Sequence, residues 1–178
     1  VKFDINATKA IGILQDVEGA GTAKTAGKIV IEGNSSGSMG IYAQQGTLEL
    51  IKPHATSGET ESSIELKAGN NNIGIYAKGA STVNFDGITK ITGGEGQKIA
   101  LATEGSTINL KNTVTAGDKV TNKFVKDAVP LYATGNNSKI TLTKPEKFLS
   151  YLSENSVAAY AKDKGKINMN NTTLPTTP

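Results

Sequence analysis

Apolar and polar residues alternate in short bursts along this chain, and the bursts recur. The segment 73–77 (IGIYA) has five relatives: 11–15 (IGILQ), 39–43 (MGIYA), 99–103 (IALAT), 129–133 (VPLYA) and 157–161 (VAAYA). Their starts lie 28, 34, 26, 30 and 28 residues apart. After a short corner rich in Gly, Ser and Asn, a second alternating burst follows: 47–51 (TLELI), 82–85 (TVNF), 107–110 (TINL), 139–142 (KITL) and 166–169 (KINM). A third precedes the next copy at 28–31, 63–66 and 88–91. Alternation with a period of two buries one face of a strand and exposes the other. One such unit can neither bury its apolar face nor pair its backbone, whereas stacked units do both. The expected fold is therefore all-β: a right-handed parallel β-helix of about six coils, with neighbouring coils ~4.8 Å apart. Handedness rests in part on coil length, since left-handed solenoids favour shorter turns.

Within the first burst, positions 1 and 3 read as inward and position 4 as outward. Position 3 then forms an internal ladder of Ile13, Ile41, Ile75, Leu101 and Leu131. Position 2 is small (Gly12, Gly40, Gly74, Ala100, Pro130, Ala158), and a Tyr ring at position 4 could lie over it. The opening 1–4 (VKFD) resembles 83–86 and reads as a second strand, while 17–27 looks irregular. Two segments break the pattern. In 145–153 (PEKFLSYLS), Pro at a first helical position with an acid beside it predicts a short helix in place of the third strand. In 118–128, Val120, Phe124 and Val125 fit a helical or irregular excursion. Residues 1–171 read as one β-helix segment and 172–178 as a Pro/Thr tail.

Composition narrows the function. The chain has 178 residues, with 37% hydrophobic and 5% aromatic residues and 20 glycines, lean for a globule and suited to an elongated stack. There is no Cys, which removes disulfides, thiolate zinc sites and a Cys nucleophile. The net charge of +3 comes from 19 basic residues, all of them Lys, scattered along the chain. Without Arg or a basic stripe, no nucleic-acid partner is expected. No apolar run reaches the ~20 residues of a membrane-spanning helix. The chain starts at Val1 without a signal peptide and reads as a segment whose parent continues at least beyond its N-terminal end.

Candidate chemistry is thin. His54 is the one histidine and sits in the polar loop 53–58. Many β-helices process polysaccharides with acids gathered on one sheet, but here the acids are dispersed. Glu59 and Glu61 fall in a loop, Glu49 and Glu65 on outward positions of different sheets, and Asp86, Glu104 and Asp163 near corners. No catalytic residue, metal ligand or cofactor site is assigned. The Asn clusters 70–72, 136–137 and 170–171 read as corner residues. The notable feature is position 4, which holds Tyr42, Tyr76, Tyr132 and Tyr160, with Leu14 and Ala102 in the other copies. These tyrosines either shield the strand or touch a partner.

The recurring GIYA with a following S-x-V-x-F strand, the Lys-rich and Arg-free composition, the absence of Cys and the irregular loops resemble the passenger region of Gram-negative type V autotransporters. The likeness is to the large outer-membrane adhesins of fusobacterial type, and spans about residues 1–172. The resemblance implies a right-handed coil as well, and a monomeric, non-enzymatic stalk on the bacterial surface that adheres to a host-cell or bacterial protein or glycan. Attachment would run through a C-terminal membrane barrel absent from this chain. A β-helical polysaccharide lyase or glycosidase and a purely structural spacer are the alternatives.

Overall fold

In a computed structural model, residues 1–16, 21–53 and 61–169 are described. His54, Glu59, the loop core around them and the tail from 170 onward lie outside the described residues. Eighteen strands form three parallel six-stranded sheets, and the chain visits the sheets in rotation. The first sheet stacks β2 (Ile11–Asp16), β5 (Met39–Gln45), β8 (Ile73–Ala77), β11 (Lys98–Ala102), β14 (Leu131–Thr134) and β17 (Ala159–Lys162). The second stacks β3 (Thr22–Thr25), β6 (Thr47–Leu50), β9 (Thr82–Phe85), β12 (Thr107–Leu110), β15 (Lys139–Leu142) and β18 (Lys166–Met169). The third stacks β1 (Lys2–Ile5), β4 (Lys28–Ile31), β7 (Ser62–Leu66), β10 (Gly87–Ile91), β13 (Val114–Ala116) and β16 (Phe148–Ser150). The protein is a parallel β-solenoid of about six turns with almost no helix.

The interior is a set of columns. On the second sheet, Leu48, Val83, Ile108 and Ile140 form one, and Leu50, Phe85, Leu110 and Leu142 the next, all at most 2% exposed. The third sheet adds Ile29 with Ile64, and Ile31 with Leu66 and Ile91. β-Branched and aromatic residues dominate because they fit a pleated surface packed on both neighbours. Full burial of such a side chain contributes about 1.5–3 kcal/mol.

Several expectations are corrected. The opening segment is a third strand: β1 pairs with β4, Phe3 beside Ile29. Residues 22–25 are the second strand of their coil, paired with β6. Within 145–153 only Pro145–Lys147 is helical, as one 3-10 turn, and the predicted helix gives way to β16, which pairs with β13. Strand pairing at Phe148–Ser150 covers the edge of β13, which a helix there would leave unpaired. The excursion 118–128 is irregular: Val120 is 92% exposed and Phe124 lies outside the core, while Val125 is buried.

The register of the fourth coil also differs. Ala100 pairs with Ile75 and Leu101 with Tyr76, so Leu101 stands outside and Ala100 occupies the ladder position. The first strands of coils three and four show the same burial pattern only when the copy starts at Lys98. Position 1 faces outward, with Ile11 and Val157 exposed, and position 2 faces inward. A β-carbon on Gly40 or Gly74 would lie 2.7 or 2.8 Å from the carbonyl oxygen of Gly74 or Ile99 in the next coil, and near Ile64 Cγ2. Glycine therefore makes room for the third-sheet isoleucines. In coil four the order is inverted: Ile99 fills the inward site and the small Ala100 follows, which roughly conserves core volume.

Polar residues line one interior corner. The residue before position 1 is Ala10, Ser38, Asn72, Gln97, Ala128 or Ser156. Ser38 Oγ accepts the Ala10 N–H at 3.1 Å, Asn72 Oδ1 the Ser38 N–H at 2.8 Å, Gln97 Oε1 the Asn72 N–H at 3.1 Å, and Ser156 Oγ the Ala128 N–H at 3.0 Å. Each side chain thus satisfies a corner N–H of the preceding coil, which would otherwise be buried without a partner. Of the corner asparagines, Asn71 and Asn137 adopt left-handed φ of 55° and 63°.

Candidate functional site

The first sheet presents the position-4 column to the outside. From one end it reads Leu14, Tyr42, Tyr76, Leu101, Tyr132, Tyr160, each paired with its neighbour in strand register. All four predicted tyrosines share this column. Leu101, not Ala102, fills the gap, because Ala102 continues the inward column of Ala43, Ala77 and Ala133. The result is two aromatic pairs separated by one leucine. Tyr42 and Tyr76 have ring centroids 5.3 Å apart, tilted by 46°; Tyr132 and Tyr160 are 5.4 Å apart, tilted by 37°. These distances suit tilted aromatic packing.

Each pair has a lysine that reading the sequence for tyrosines missed. Lys78 follows Tyr76 by two residues, and Lys162 follows Tyr160 by two. The Tyr42 hydroxyl beside Lys78 holds its ammonium above the usual lysine range, with Glu104 adding to this. The Tyr132 hydroxyl does the same for Lys162, with Asp163 adding to this at 3.7 Å. A raised lysine is stabilised in its charged form, so both ammoniums stay charged through neutral pH. The Tyr42 hydroxyl also donates to Gln44 Oε1 at 3.0 Å. The signal was present as Tyr-Ala-Lys at 76–78 and 160–162, but it became legible only once the coils were stacked. The face thus offers apolar ring area and hydrogen-bond donors side by side on a flat sheet. Among the described residues it holds no carboxylate pair suited to proton transfer.

The acids examined for chemistry stay apart. Glu49 pairs with Lys24 at 3.0 Å on the second sheet, and Glu65 with Lys90 at 3.3 Å on the third. Glu104 and Asp163 sit at corners with left-handed φ of 53° and 50°. Glu61 Oε1 accepts from Asn112 Nδ2 at 3.4 Å. Among the described residues, no three His, Cys, Asp or Glu side chains converge in a group that could hold a metal ion. No helix among them is long and apolar enough to cross a membrane.

Fold and face together define a parallel β-solenoid with a tyrosine–lysine column on one flat sheet. No protein-family model, curated protein or solved structure matches the chain.

Proposed function

We propose that the chain is a stretch of the β-helical passenger of a bacterial surface adhesin of the autotransporter kind. In this reading the solenoid is a rigid, monomeric stalk that catalyses no reaction. Its first sheet contacts a protein or glycan on a host cell or a neighbouring bacterium, and a barrel elsewhere in the parent anchors it in the outer membrane. The observation that carries the reading is the double Tyr–Tyr–Lys arrangement in one outward column. Folding the coil requires aliphatic columns inside, whereas the outward column also accepts Leu14 and Leu101, so its register does not depend on aromatic rings. Tyrosine supplies large contact area at low conformational cost and is enriched where proteins bind. The separation of Glu49 and Glu65 onto different sheets gives no support to a polysaccharide-cleaving site.

The test is binding of the fragment to host cells, partner bacteria and a glycan array, beside a variant with Ala at Tyr42, Tyr76, Tyr132 and Tyr160. Circular dichroism and a melting curve establish that the variant is folded. Loss of at least tenfold in affinity, about 1.4 kcal/mol, is expected. Undiminished binding by the folded variant would exclude this face as the contact, and no binding by either protein would leave the stalk a spacer.

A further inference from the structure

On the third sheet the outer surface is not flat. Outward positions there include Glu65, Lys90 and Thr115, in one register column. The excursion after β13 rises beside them and borders two adjoining, open hollows of about 320 Å³ each, which share Thr92 and Asp118. Volumes of this order are at the lower end of the range for small-molecule pockets, ~300–1,000 Å³.

The wall is a built turn. Asp118 accepts the Val120 N–H at 2.9 Å and the Thr121 hydroxyl at 2.7 Å. Its backbone exchanges bonds of 2.7 and 2.8 Å with Lys123. That turn holds Lys119 and Val120 away from the core, and a valine 92% exposed contributes nothing to folding there. Of the two acids in the hollows, Glu65 is paired with Lys90 and accepts the Thr92 hydroxyl, while Asp118 is held ionised by its own turn and its charge is offset by the nearby Lys123. Lys119 and Lys123 have no carboxylate within 4.0 Å among the described residues. What faces a ligand is therefore four lysines against two carboxylates, the Thr115 hydroxyl, the Thr92 oxygen as an acceptor, and an apolar patch of Val120, Leu149 and Tyr151.

The geometry points to a second binding site here, for an anionic saccharide. The lysines would meet a carboxylate or sulfate, the threonines the ring hydroxyls, and the patch the apolar face of the sugar. A compact hollow of this size suits one or two sugar units better than a protein surface, which would need a wider apolar core. This site does not depend on the tyrosine face: it lies on another sheet and uses different residues.

The test titrates a sialylated trisaccharide, a sulfated lactose and neutral lactose into the labelled protein, following backbone amide shifts at low and physiological salt. The expected result is at least tenfold preference for one or both acidic sugars over lactose, weakened by salt. Shifts should concentrate at residues 90–92 and 115–121. The sialylated and sulfated arms separate carboxylate from sulfate recognition. Lys119→Ala with Lys123→Ala, both exposed, should lose the preference while the melting temperature holds. The four-tyrosine variant should bind the acidic sugars as the natural protein does. Equal binding of lactose, binding unaffected by the lysine changes, or no shifts at these amides up to about 10 mM sugar would overturn the proposal. So would shifts reproduced by inorganic sulfate alone.

Discussion

The first and third sheets are built from the same coil, yet their outer faces differ. The first sheet's face is periodic: each coil contributes one residue to the Leu14–Tyr42–Tyr76–Leu101–Tyr132–Tyr160 column. The third sheet's face is hollowed, because one excursion, pinned by Asp118, stands over it. Repetition makes surfaces that are flat and multiply the same group. Insertion makes surfaces that are concave and bring different groups together. A solenoid can hold both because each coil contacts only its neighbours, so an insertion in one coil leaves the next coil's strands in register.

The sharpest way to break the contrast is to attack what the two faces share. Gly74 lies inside the first sheet against Ile64 of the third, where its β-carbon would sit 3.3 Å from Ile64 Cγ2 and 2.8 Å from the Ile99 carbonyl oxygen. Gly74→Ile should destabilise the stack by about 3 kcal/mol through overpacking and disturb both faces, seen as a lowered unfolding midpoint. Adding Ile75→Ala re-creates the order of Ile99 and Ala100 and should recover about 1 kcal/mol or more. If the double variant is worse than the single one, volume exchange does not explain the fourth coil.

That exchange also shows where the sequence could be read and where it could not. The three strands per coil, the coil count, the second-sheet alternation and the tyrosine column all follow from periods of two residues and about 28, visible in the chain itself. The fourth coil was misread by one residue because Ile-Ala and Gly-Ile fill the same space in opposite order, and a pattern of apolar letters cannot tell which is inside. Position 1 looked inward for the same reason: Met39 and Ile73 are apolar but only half-buried. The Ser38–Asn72–Gln97 corner ladder escaped notice because its members share a hydrogen-bonding role and not a residue type. The segment 145–153 has apolar residues at 148, 149, 151 and 152, spaced for a helix, yet the unpaired edge of β13 claims Phe148–Ser150 as a strand. The hollow depended on where an irregular segment folds back, which no period encodes.

A smaller effect bears on the third sheet alone. Thr89 sits in the inward column between Ile64 and Val114, 1% exposed, with no partner for its hydroxyl. Thr89→Val keeps the shape and removes the unpaired group, so stability should rise by about 1 kcal/mol. Chemical denaturation reads this as a higher midpoint with an unchanged slope. A fall in stability would show that the hydroxyl has a bound-water partner.

Asp118→Ala separates the faces more gently. Backbone amide exchange at Val120 should accelerate while that at Ile75 stays slow, since the turn belongs to the third face only. Hydrogen bonds from Thr121 and the Val120 N–H hold the Asp118 carboxyl below its ordinary value of 3.8. A depressed carboxylate supports its turn above the unfolded value and releases it as pH falls through the folded one. The turn should therefore be intact at pH 5 and loosen only below pH 3.8. Loosening near pH 6 would point to a different group.

The smallest expected effect lies at the edge of the first face. Lys98 occupies position 1, where neighbouring coils carry Met39 and Ile73, and its ammonium reaches the Gly96 carbonyl at 3.4 Å. Burial pushes its ionisation below the ordinary value of 10.5. The charged form is thus disfavoured in the folded chain. That penalty acts in full below the folded value and fades as pH rises from it toward the unfolded 10.5. Lys98→Met removes the charge and matches the column, so it should stabilise the protein slightly, within about 0.5 kcal/mol. The gain should be largest at neutral pH and shrink toward zero as pH approaches 10.5. Paired melting curves at pH 7 and pH 10 test this. A gain that persists at high pH would mean that side-chain packing, not charge, distinguishes the fourth coil from its neighbours on this face.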